Sequence, residues 1–327
     1  MASIRDISKK TGLGISTISR YINKSGYVSS ESADLIQKVI DELDYIPNRN
    51  AKAIFKRKSG SIGLIVPSLV NPFFAELATL IGNMIQDDGY GCVLCFTEDN
   101  LEKEEAAIDL LNGYRVDGVI SARGRDLEKL KKLSVPVVSF ETKGTSDIIT
   151  VSADNYNGGR IALEHLAEGG CTKLLHISGP RRFEATEDRR KGFQDAAREN
   201  GIPVEVLQLK SDYLLDEDFD QELGQLDFDQ FDGIFVFNDI NTIYVINHLR
   251  KKGYSIPEDI QVIGFDNSYL SEMNLPSLTT IEQSPRAIAG TMYGCLRDRM
   301  NGVTSSHEDR LVPVKLIKRD STRTVKS

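Results

Sequence analysis

Long apolar runs are missing from this 327-residue chain. No stretch approaches the roughly 18 uncharged apolar residues that a membrane-spanning helix needs. The first residues also lack the basic and then apolar pattern of a secretory signal. Both absences count against membrane and secreted proteins, so we expect a cytoplasmic protein without a membrane partner.

Metal-binding and disulfide frameworks are missing as well. The chain has four cysteines and four histidines, and the histidines lie far apart without ligand spacing. Cys92 and Cys95 form a C-x-x-C, but they stand in the apolar run GCVLCF, which is typical of a strand. Side chains at i and i+3 of a strand point to opposite faces. We therefore expect reduced thiols, no metal and no cofactor.

The motifs of common enzyme classes do not occur. The sequence contains no Walker loop, nucleophile elbow or metal-ligand set. The G-x-G at Gly12 and Gly14 precedes no dinucleotide-binding unit. We expect a binding protein rather than an enzyme.

Charge is unevenly distributed along the chain. The first 60 residues carry 11 Lys/Arg against 6 Asp/Glu, whereas the whole chain has a formal net charge of −8. The remaining residues are therefore strongly acidic. A basic head on an acidic body suits a protein that docks one end on phosphates and keeps the rest away from them.

Residues 3–43 show the pattern of three short helices. Ser3 and Asp6 form an S-x-x-D capping box, and a turn over 11–14 precedes a second helix over 15–22. The third helix carries an apolar stripe at helical spacing: Leu35, Ile36, Val39, Ile40 and Leu43. The second helix leaves four polar side chains outside: Ser16, Thr17, Ser19 and Arg20. A helix-turn-helix unit that presents hydroxyls and an arginine is what reading of the DNA major groove requires.

A second DNA-reading device follows at residues 47–60. Pro47 ends the third helix, because proline disfavours helical backbone at the residue before it. Asn48 can cap a short helix over 49–55, which the basic run 56–58 follows. A helix of this length is too short to be stable alone in water, so we expect this hinge to order only against a partner.

From residue 61 to about 320 the chain alternates strands with helices, in two cycles. Such alternation predicts α/β architecture with doubly wound parallel sheets and right-handed crossovers. We expect a first lobe over about 61–153 and 284–320 and a second lobe over about 154–283, with a final strand near 311–318 returning to the first. Ligands bind such folds beyond the carboxyl ends of the strands, here in the cleft between the lobes.

Unusual polar and aromatic residues fall near these strand ends: Phe73, Phe74, Glu141, Arg189, Tyr213, Asn238, Asp266 and Gln283. Aromatic faces over a sugar ring, with charged groups on neighbouring hydroxyls, would suit this set, because charged groups make strong hydrogen bonds inside a closed cleft. Each residue also has a simpler interpretation. Phe74 fits a core residue, Asn238 a helix cap and Arg189 a surface charge. We expect Asp154 and Asn155 to cap a helix.

An ordered series of longer motifs runs through the chain: TGLGISTISR, LDYIPN, NRNAKAI, IGLIVPSLVNPFFAEL, VSADNYNGGRIALEHL, RRKGF, DGIFVFND, VIGFDN, LPSLTTIEQ and VPVKLIKR. This series resembles the lactose-repressor/galactose-repressor family of bacterial transcription factors and covers nearly the whole chain. The resemblance implies a DNA-binding headpiece over 1–46, a hinge over 47–60, and an effector-binding and dimerisation core over 61–320. The core is expected to be two-lobed and similar to periplasmic binding proteins.

The resemblance also assigns roles to residues. It implies base-edge contacts for Ile15, Ser16 and Arg20, and phosphate or backbone contacts for Thr17, Ser19, Asn23 and Tyr27. It implies that Asn48 belongs to the DNA-binding hinge and that Ile54 enters the minor groove. The strand-end residues named above acquire the role of an effector pocket. Ile15 could contact a thymine methyl, although it also fits a core position.

Some positions depart from the family pattern. Gly14 stands where a Ser or Thr usually caps the recognition helix, at a cost of about a few tenths of a kcal/mol. Thr142 stands where an Arg often follows the strand-end acid. The partner of Glu141 is therefore open.

We predict a homodimeric regulator that binds pseudopalindromic operator DNA and represses a carbohydrate-use operon until a sugar or sugar phosphate releases it. A regulator with a purine-type corepressor or a phosphoprotein partner is an alternative. A sugar-binding protein without a DNA role is a further alternative, which the basic headpiece disfavours.

Arg20→Ala should weaken binding to the cognate operator by about 1–3 kcal/mol and relax the preference at one base pair, because the variant loses a base-edge contact. Titration of operator variants, one base pair at a time, measures both effects. An equal loss of affinity on all sequences would identify Arg20 as a phosphate contact and contradict the assignment.

Overall fold

The computed structural model describes residues 2–45, 59–124, 127–142, 147–210, 217–303 and 309–323. The chain divides into two compact units, one ending at Ser59 and one beginning at Gly60. Residues 47–58 of the predicted hinge, with Asn48 and Ile54, lie outside the described residues, and so does Tyr213.

The first unit is the predicted bundle of three helices. They are α1 (Ile4–Thr11), α2 (Ile15–Asn23) and α3 (Ser30–Glu42). The Asp6 carboxylate accepts hydrogen bonds from the backbone N–H and the hydroxyl of Ser3, which fixes the start of α1. The small core is made of four fully buried side chains and their neighbours: Ile7, Ile18, Ile36 and Val39.

Leu35 does not belong to this core, although the sequence placed it on the apolar stripe of α3. Its side chain is 40% exposed. Three short helices enclose only a small core, and the neighbouring Ile36 occupies it. The stripe is therefore narrower than the sequence pattern indicates.

The first sheet of the second unit has six parallel strands in the order β11-β5-β4-β3-β1-β2. The strands are β1 (Ser61–Val66), β2 (Gly91–Phe96), β3 (Gly118–Ser121), β4 (Val137–Phe140), β5 (Ile149–Ala153) and β11 (Arg310–Val312). The helices of this lobe are α4 (Pro72–Asp87), α5 (Leu101–Tyr114), α6 (Leu127–Leu130) and α12 (Pro285–Met300). One apolar cluster joins α4 and α12 to one face of the sheet, and another joins α5 and α6 to the opposite face. We call this assembly the first lobe.

The second sheet has the order β12-β10-β9-β8-β6-β7 and is parallel except for β12, which runs antiparallel to β10. The strands are β6 (Leu174–Ser178), β7 (Val204–Gln208), β8 (Gly233–Val236), β9 (Gln261–Asp266), β10 (Thr279–Gln283) and β12 (Val314–Ile317). The helices are α7 (Asn155–Glu168), α8 (Glu184–Asn200), α9 (Glu217–Gly224), α10 (Asp239–Lys251) and α11 (Tyr269–Met273). A 3₁₀ turn, Phe228–Gln230, precedes β8. We call this assembly the second lobe.

The two doubly wound sheets confirm the α/β interpretation. Central strands such as β1, β8 and β9 are apolar and buried along nearly their whole length, because helices cover both faces of each sheet. The sequence interpretation did not assign β5 or β10. Both strands contain threonines whose hydroxyls find partners inside the protein, so their polarity hides their burial from a sequence pattern.

The single strand expected near 311–318 is wrong. It is two strands that lie in different sheets, because Pro313 separates them and has no N–H with which to continue a ladder. β11 pairs with β5 of the first lobe, whereas β12 pairs with β10 of the second. The expected extent of the first lobe, 284–320, is therefore wrong beyond Val312.

Helices α7 and α8 approach each other at two glycines. A Cβ at Gly192 would fall on the carbonyl oxygen of Tyr156, and one at Gly159 would fall on the carbonyl oxygen of Arg189. Only glycine permits this backbone approach, which seats the turn of α8 that carries Arg189 directly against α7.

Gly192→Ala should lower the free energy of unfolding by about 3 kcal/mol, because the added methyl group forces two backbones apart. Gly290→Ala is the matched control, since a Cβ there meets open space on α12. It should raise the free energy of unfolding by up to about 1 kcal/mol through helix propensity. Urea unfolding followed by circular dichroism measures both. A loss at Gly192 no greater than the change at Gly290 would contradict the close approach.

Candidate DNA-reading helix and interlobe effector site

The second helix of the headpiece presents the side chains that the resemblance assigns to DNA. Ser16 and Arg20 are exposed, Ile15 is 47% exposed, and Tyr27 is 89% exposed. Ile15 is therefore not a core residue. Gly14 is the N-cap of α2 and makes no side-chain capping bond, as its lack of a side chain requires.

Three further predicted DNA-contact residues, Thr17, Ser19 and Asn23, are half-buried. The Asn23 amide donates to the Ser19 hydroxyl at 3.2 Å, so these two side chains support each other on one face of α2. Their geometry is compatible with phosphate contacts, and their role on DNA stays a prediction.

The carboxyl ends of the strands meet between the two lobes and surround a small inner pocket of about 20 Å³. The structure brings seven of the eight predicted effector residues to this pocket: Phe73, Phe74, Glu141, Arg189, Asn238, Asp266 and Gln283. The eighth, Tyr213, lies outside the described residues. The convergence of side chains from both lobes on one point follows from the strand-end rule for doubly wound sheets.

Phe73 and Phe74 lie in the first turn of α4, which Asn71 caps by accepting from the Phe73 N–H at 3.0 Å. The two rings meet edge to face, with centroids 5.2 Å apart. Both are buried in the core of the first lobe and both line the pocket. The core interpretation of Phe74 and its pocket position are therefore compatible.

Arg189 is fully buried and connects the lobes through a chain of hydrogen bonds. Its Nε donates to Asn155 Oδ1 at 2.8 Å, and Asn155 Nδ2 donates to Glu141 Oε1 at 2.9 Å. Its Nη2 lies 3.9 Å from Glu141 Oε1. The surface-charge interpretation of Arg189 is therefore wrong. The partners of Glu141 are Asn155 and Arg189, which answers the question raised by Thr142.

Two further contacts hold the Arg189 guanidinium in place. Nη1 donates to the carbonyl oxygen of Phe237 at 2.6 Å, and the guanidinium carbon lies 3.5 Å from the centroid of the Phe265 ring. Burial lowers the pKa of Arg189, while Glu141 and Asp266 act in the opposite direction. Arginine keeps its proton in proteins, so the site contains a permanent buried cation.

Asn155 is a site residue that the sequence interpretation misplaced. Asp154 caps α7 by accepting from the N–H of Asn157 at 3.2 Å, as expected. Asn155 is instead buried between Glu141 and Arg189. A polar residue at the start of a helix is typical of a cap, and sequence alone does not show in which direction its side chain points.

Two buried carboxyl groups belong to this region: Asp266 lines the pocket, whereas Asp239 does not. Asp239 accepts from the Thr280 hydroxyl at 2.6 Å and from the Ser268 N–H at 2.7 Å. Burial raises the pKa of Asp239, and the charge of Asp266 adds to the rise. Burial also raises the pKa of Asp266, against the opposing influence of Arg189.

Asp266 has partners in both lobes. Gln283 Nε2 donates to it at 2.6 Å, and the side chain of Asn71 also hydrogen-bonds to it. Asn238 caps α10, because its side-chain oxygen accepts a hydrogen bond from the Asn241 N–H at 3.0 Å. It also lines the pocket, so its capping role and its pocket position are compatible. In the part of the chain that the structure describes, the buried Gln283 Oε1 has no hydrogen-bond partner.

A larger cavity of about 290 Å³ lies beside the inner pocket, near the lower end of the usual range for small-ligand sites. Its lining contains Arg123, Glu141, Thr142, Arg182 and Phe183. The sequence interpretation missed Arg123, although it comes two residues after the end of β3, so the strand-end rule could have found it.

Other site types find little support in the described ranges. Within them, no group of three or more His, Cys, Asp or Glu side chains is arranged to hold a metal ion, and no helix has both the length and the apolarity to cross a membrane. Cys92 and Cys95 pack into clusters on opposite faces of the first sheet, as their spacing predicts. Burial raises the pKa of both thiols.

Known protein families match both parts of this chain. Residues 3–48 match the family described as bacterial regulatory proteins, lacI family, and residues 163–322 match the periplasmic binding protein-like domain. The ribose operon repressor of Halalkalibacterium halodurans is 33% identical over 99% of this chain and 98% of its own length. The transcriptional regulator DegA of Bacillus subtilis is 30% identical over 98% of each chain.

Solved structures show the same architecture. A periplasmic binding protein/LacI transcriptional regulator from Alkaliphilus metalliredigens, complexed with D-xylulofuranose, is 42% identical, with a TM-score of 0.75 over 81% of this chain and 100% of its own. The lac repressor dimer bound to operator and an anti-inducer has a TM-score of 0.87 over 98% of each chain. At 23% identity, this second likeness concerns the fold.

The free energy of unfolding should fall as pH rises from about pH 5 to pH 8, because Asp239 and Asp266 bind protons more tightly when folded than when unfolded. Their contribution is complete below the unfolded pKa and is lost as pH rises through the folded pKa. Asp239→Asn should flatten this dependence by up to about 1.4 kcal/mol per pH unit. Asp109→Asn, on the exposed surface of α5, is the control and should leave it unchanged. Urea unfolding at several pH values tests this, and parallel profiles for the two variants would contradict it.

Proposed function

The chain belongs to the lacI family of bacterial regulatory proteins, and from this premise we propose that it represses a carbohydrate-use operon until a sugar binds between its lobes. It is a DNA-binding transcriptional regulator. We further propose that it works in the cytoplasm as a homodimer, with one α2 in each half of a pseudopalindromic operator. The ribose and sucrose operon repressors among its relatives support this class of target.

The observation that carries the sugar proposal is the surplus of hydrogen-bond acceptors around the inner pocket. Glu141 and Asp266 contribute carboxylates, and Gln283 contributes an amide oxygen that has no hydrogen-bond partner among the described residues. Neighbouring sugar hydroxyls are donors that suit such acceptors, and buried acceptors lose free energy if nothing donates to them. The relative that is 42% identical holds D-xylulofuranose, so we propose a pentose-sized sugar as the effector.

A purine corepressor is the second candidate. The PurR repressor of Photobacterium profundum is 31% identical over 95% of this chain, which favours it. A purine, however, holds its N–H donors in the plane of its rings, whereas the hydroxyl groups of a sugar point in several directions toward the two carboxylates and the amide oxygen. The same titrations that test a sugar can test hypoxanthine and guanine, and binding by a purine alone would replace the proposal.

A sugar can change DNA affinity only if it prefers one arrangement of the lobes over another. Glu141 belongs to the first lobe, whereas Arg189, Asn238 and Asp266 belong to the second. A ligand held by both sets draws the lobes together. We propose that this closure weakens operator binding, and by linkage operator DNA then weakens sugar binding by the same factor.

Asp266→Ala and Arg189→Ala should leave operator binding near normal and abolish induction, giving permanent repression. Reporter expression and calorimetry with D-xylulose, with and without operator DNA, measure these effects. Arg198→Ala is the matched control, since Arg198 lies on the exposed surface of the same helix as Arg189. Asp266→Asn keeps the shape of the side chain if truncation impairs folding.

Two results would overturn the mechanism. Normal induction in both site variants would show that these residues do not bind the effector. Equal sugar affinity on free and operator-bound protein would show that sugar binding is not coupled to DNA release.

A further inference from the structure

Arg123 occupies an unusual place in the cleft. It follows β3 in the first lobe, and Asp99 of the same lobe anchors its Nη1 at 3.0 Å. The guanidinium carbon lies 4.7 Å from the centroid of Phe74, in the first lobe, and 4.2 Å from that of Phe183, in the second. The cation therefore contacts an aromatic ring from each lobe.

Arg123 lies at the boundary of the two spaces of the cleft, together with Glu141 and Phe183. Arg123 lines both the inner pocket of about 20 Å³ and the outer cavity of about 290 Å³. The inner pocket has room for about one water molecule. It is nevertheless where Arg189, Asn238 and Asp266 converge, so a sugar that reaches them needs space that Arg123 now helps to close off.

The backbone of Arg123 is also unusual. Its φ is +123°, a value that L-amino acids rarely adopt. Residues held in such backbone conformations are concentrated at ligand clamps and switch regions. Here the strained backbone accompanies a side chain that is 17% exposed and in contact with a ring from each lobe.

We propose that Arg123 acts as an internal ligand of the cleft, which we call the self-ligand. Its guanidinium lies between the rings of Phe74 and Phe183 until an effector displaces it. A guanidinium is flat and stacks on aromatic faces, and the apolar face of a sugar ring can take the same position. In the effector-free protein, Arg123 then joins the lobes and keeps the inner pocket closed. The inference rests on the proposed function only in taking a sugar as the displacing ligand.

The self-ligand can be tested without any sugar. The chain contains no tryptophan, so Phe183→Trp places a single fluorescent indole in the stack. Adding Arg123→Ala should increase quenching of this indole by acrylamide more than adding Arg182→Ala does. Arg182 is the matched control, because its guanidinium also lies over Phe183, at 4.5 Å, but it lines only the outer cavity. Equal quenching in the two double variants would overturn the proposal.

Sugar binding gives the second test. Calorimetry with D-xylulose should show tighter binding by Arg123→Ala, by about tenfold, because the sugar no longer competes with a cation–π stack. Arg182→Ala should bind like the wild-type protein. Arg123→Gly suits the φ of +123° and is a second variant if Arg123→Ala folds poorly. Weaker binding by both Arg123 variants would make Arg123 a direct sugar contact and overturn the self-ligand.

The two tests separate this inference from the proposed function. Absence of any D-xylulose binding by the wild-type protein would count against the proposed effector. The quenching comparison would still decide whether Arg123 covers Phe183 in the effector-free protein.

Discussion

The buried charge of Arg189 is the constraint on which the cleft depends. A cation removed from water is costly unless every polar edge finds a partner, and its partners come from separate elements of the fold. These partners are the carbonyl of Phe237 after β8, the ring of Phe265 in β9, the amide of Asn155 in α7, and Glu141 after β4. Because Glu141 belongs to the other lobe, the arrangement of the lobes is part of what stabilises the charge. The glycines that let α7 and α8 touch serve the same end, since they bring Asn155 within reach of Arg189.

Three carboxyl groups lie near the Arg189 cation, those of Glu141, Asp266 and Asp239, and their charges have to be considered together with its own. Glu141 lies 3.9 Å from Nη2 of Arg189 and Asp266 acts on the cation electrostatically, whereas Asp239 does not line the pocket. One arginine does not neutralise three carboxylates in a buried place, so protons or ligand hydroxyls must supply the remaining donors. Burial raises the pKa values of Asp239 and Asp266. Among the described residues no donor reaches the buried Gln283 oxygen, so the site is short of hydrogen-bond donors. A ligand rich in hydroxyl groups relieves this shortage without bringing a charge of its own.

Local sequence patterns predict much of this arrangement, and each part that they fail to predict has a physical reason. The three headpiece helices and most of the buried strands follow from apolar spacing. The strand-end rule together with the family resemblance predicts seven pocket residues from distant parts of the chain. Spacing did not reveal β5 and β10, because threonines bonded inside the protein look like surface residues. It also could not assign β12 to the second lobe, since the choice of sheet depends on long-range pairing around Pro313. Sequence patterns did not place Asn155 and Arg123 in the site for a related reason. The direction of a side chain is set by neighbours that are remote in sequence.

The division of the last strand at Pro313 has a mechanical consequence. The chain passes from one lobe to the other between β5 and α7, between β10 and α12, and again between β11 and β12. One covalent tether would let two bodies swivel freely, and two would still permit rotation about the line that joins them. A third tether adds a further constraint, because any motion of one lobe against the other must be accommodated in all three crossover segments. Relative motion of the lobes is therefore bending at these three crossovers rather than separation or free rotation.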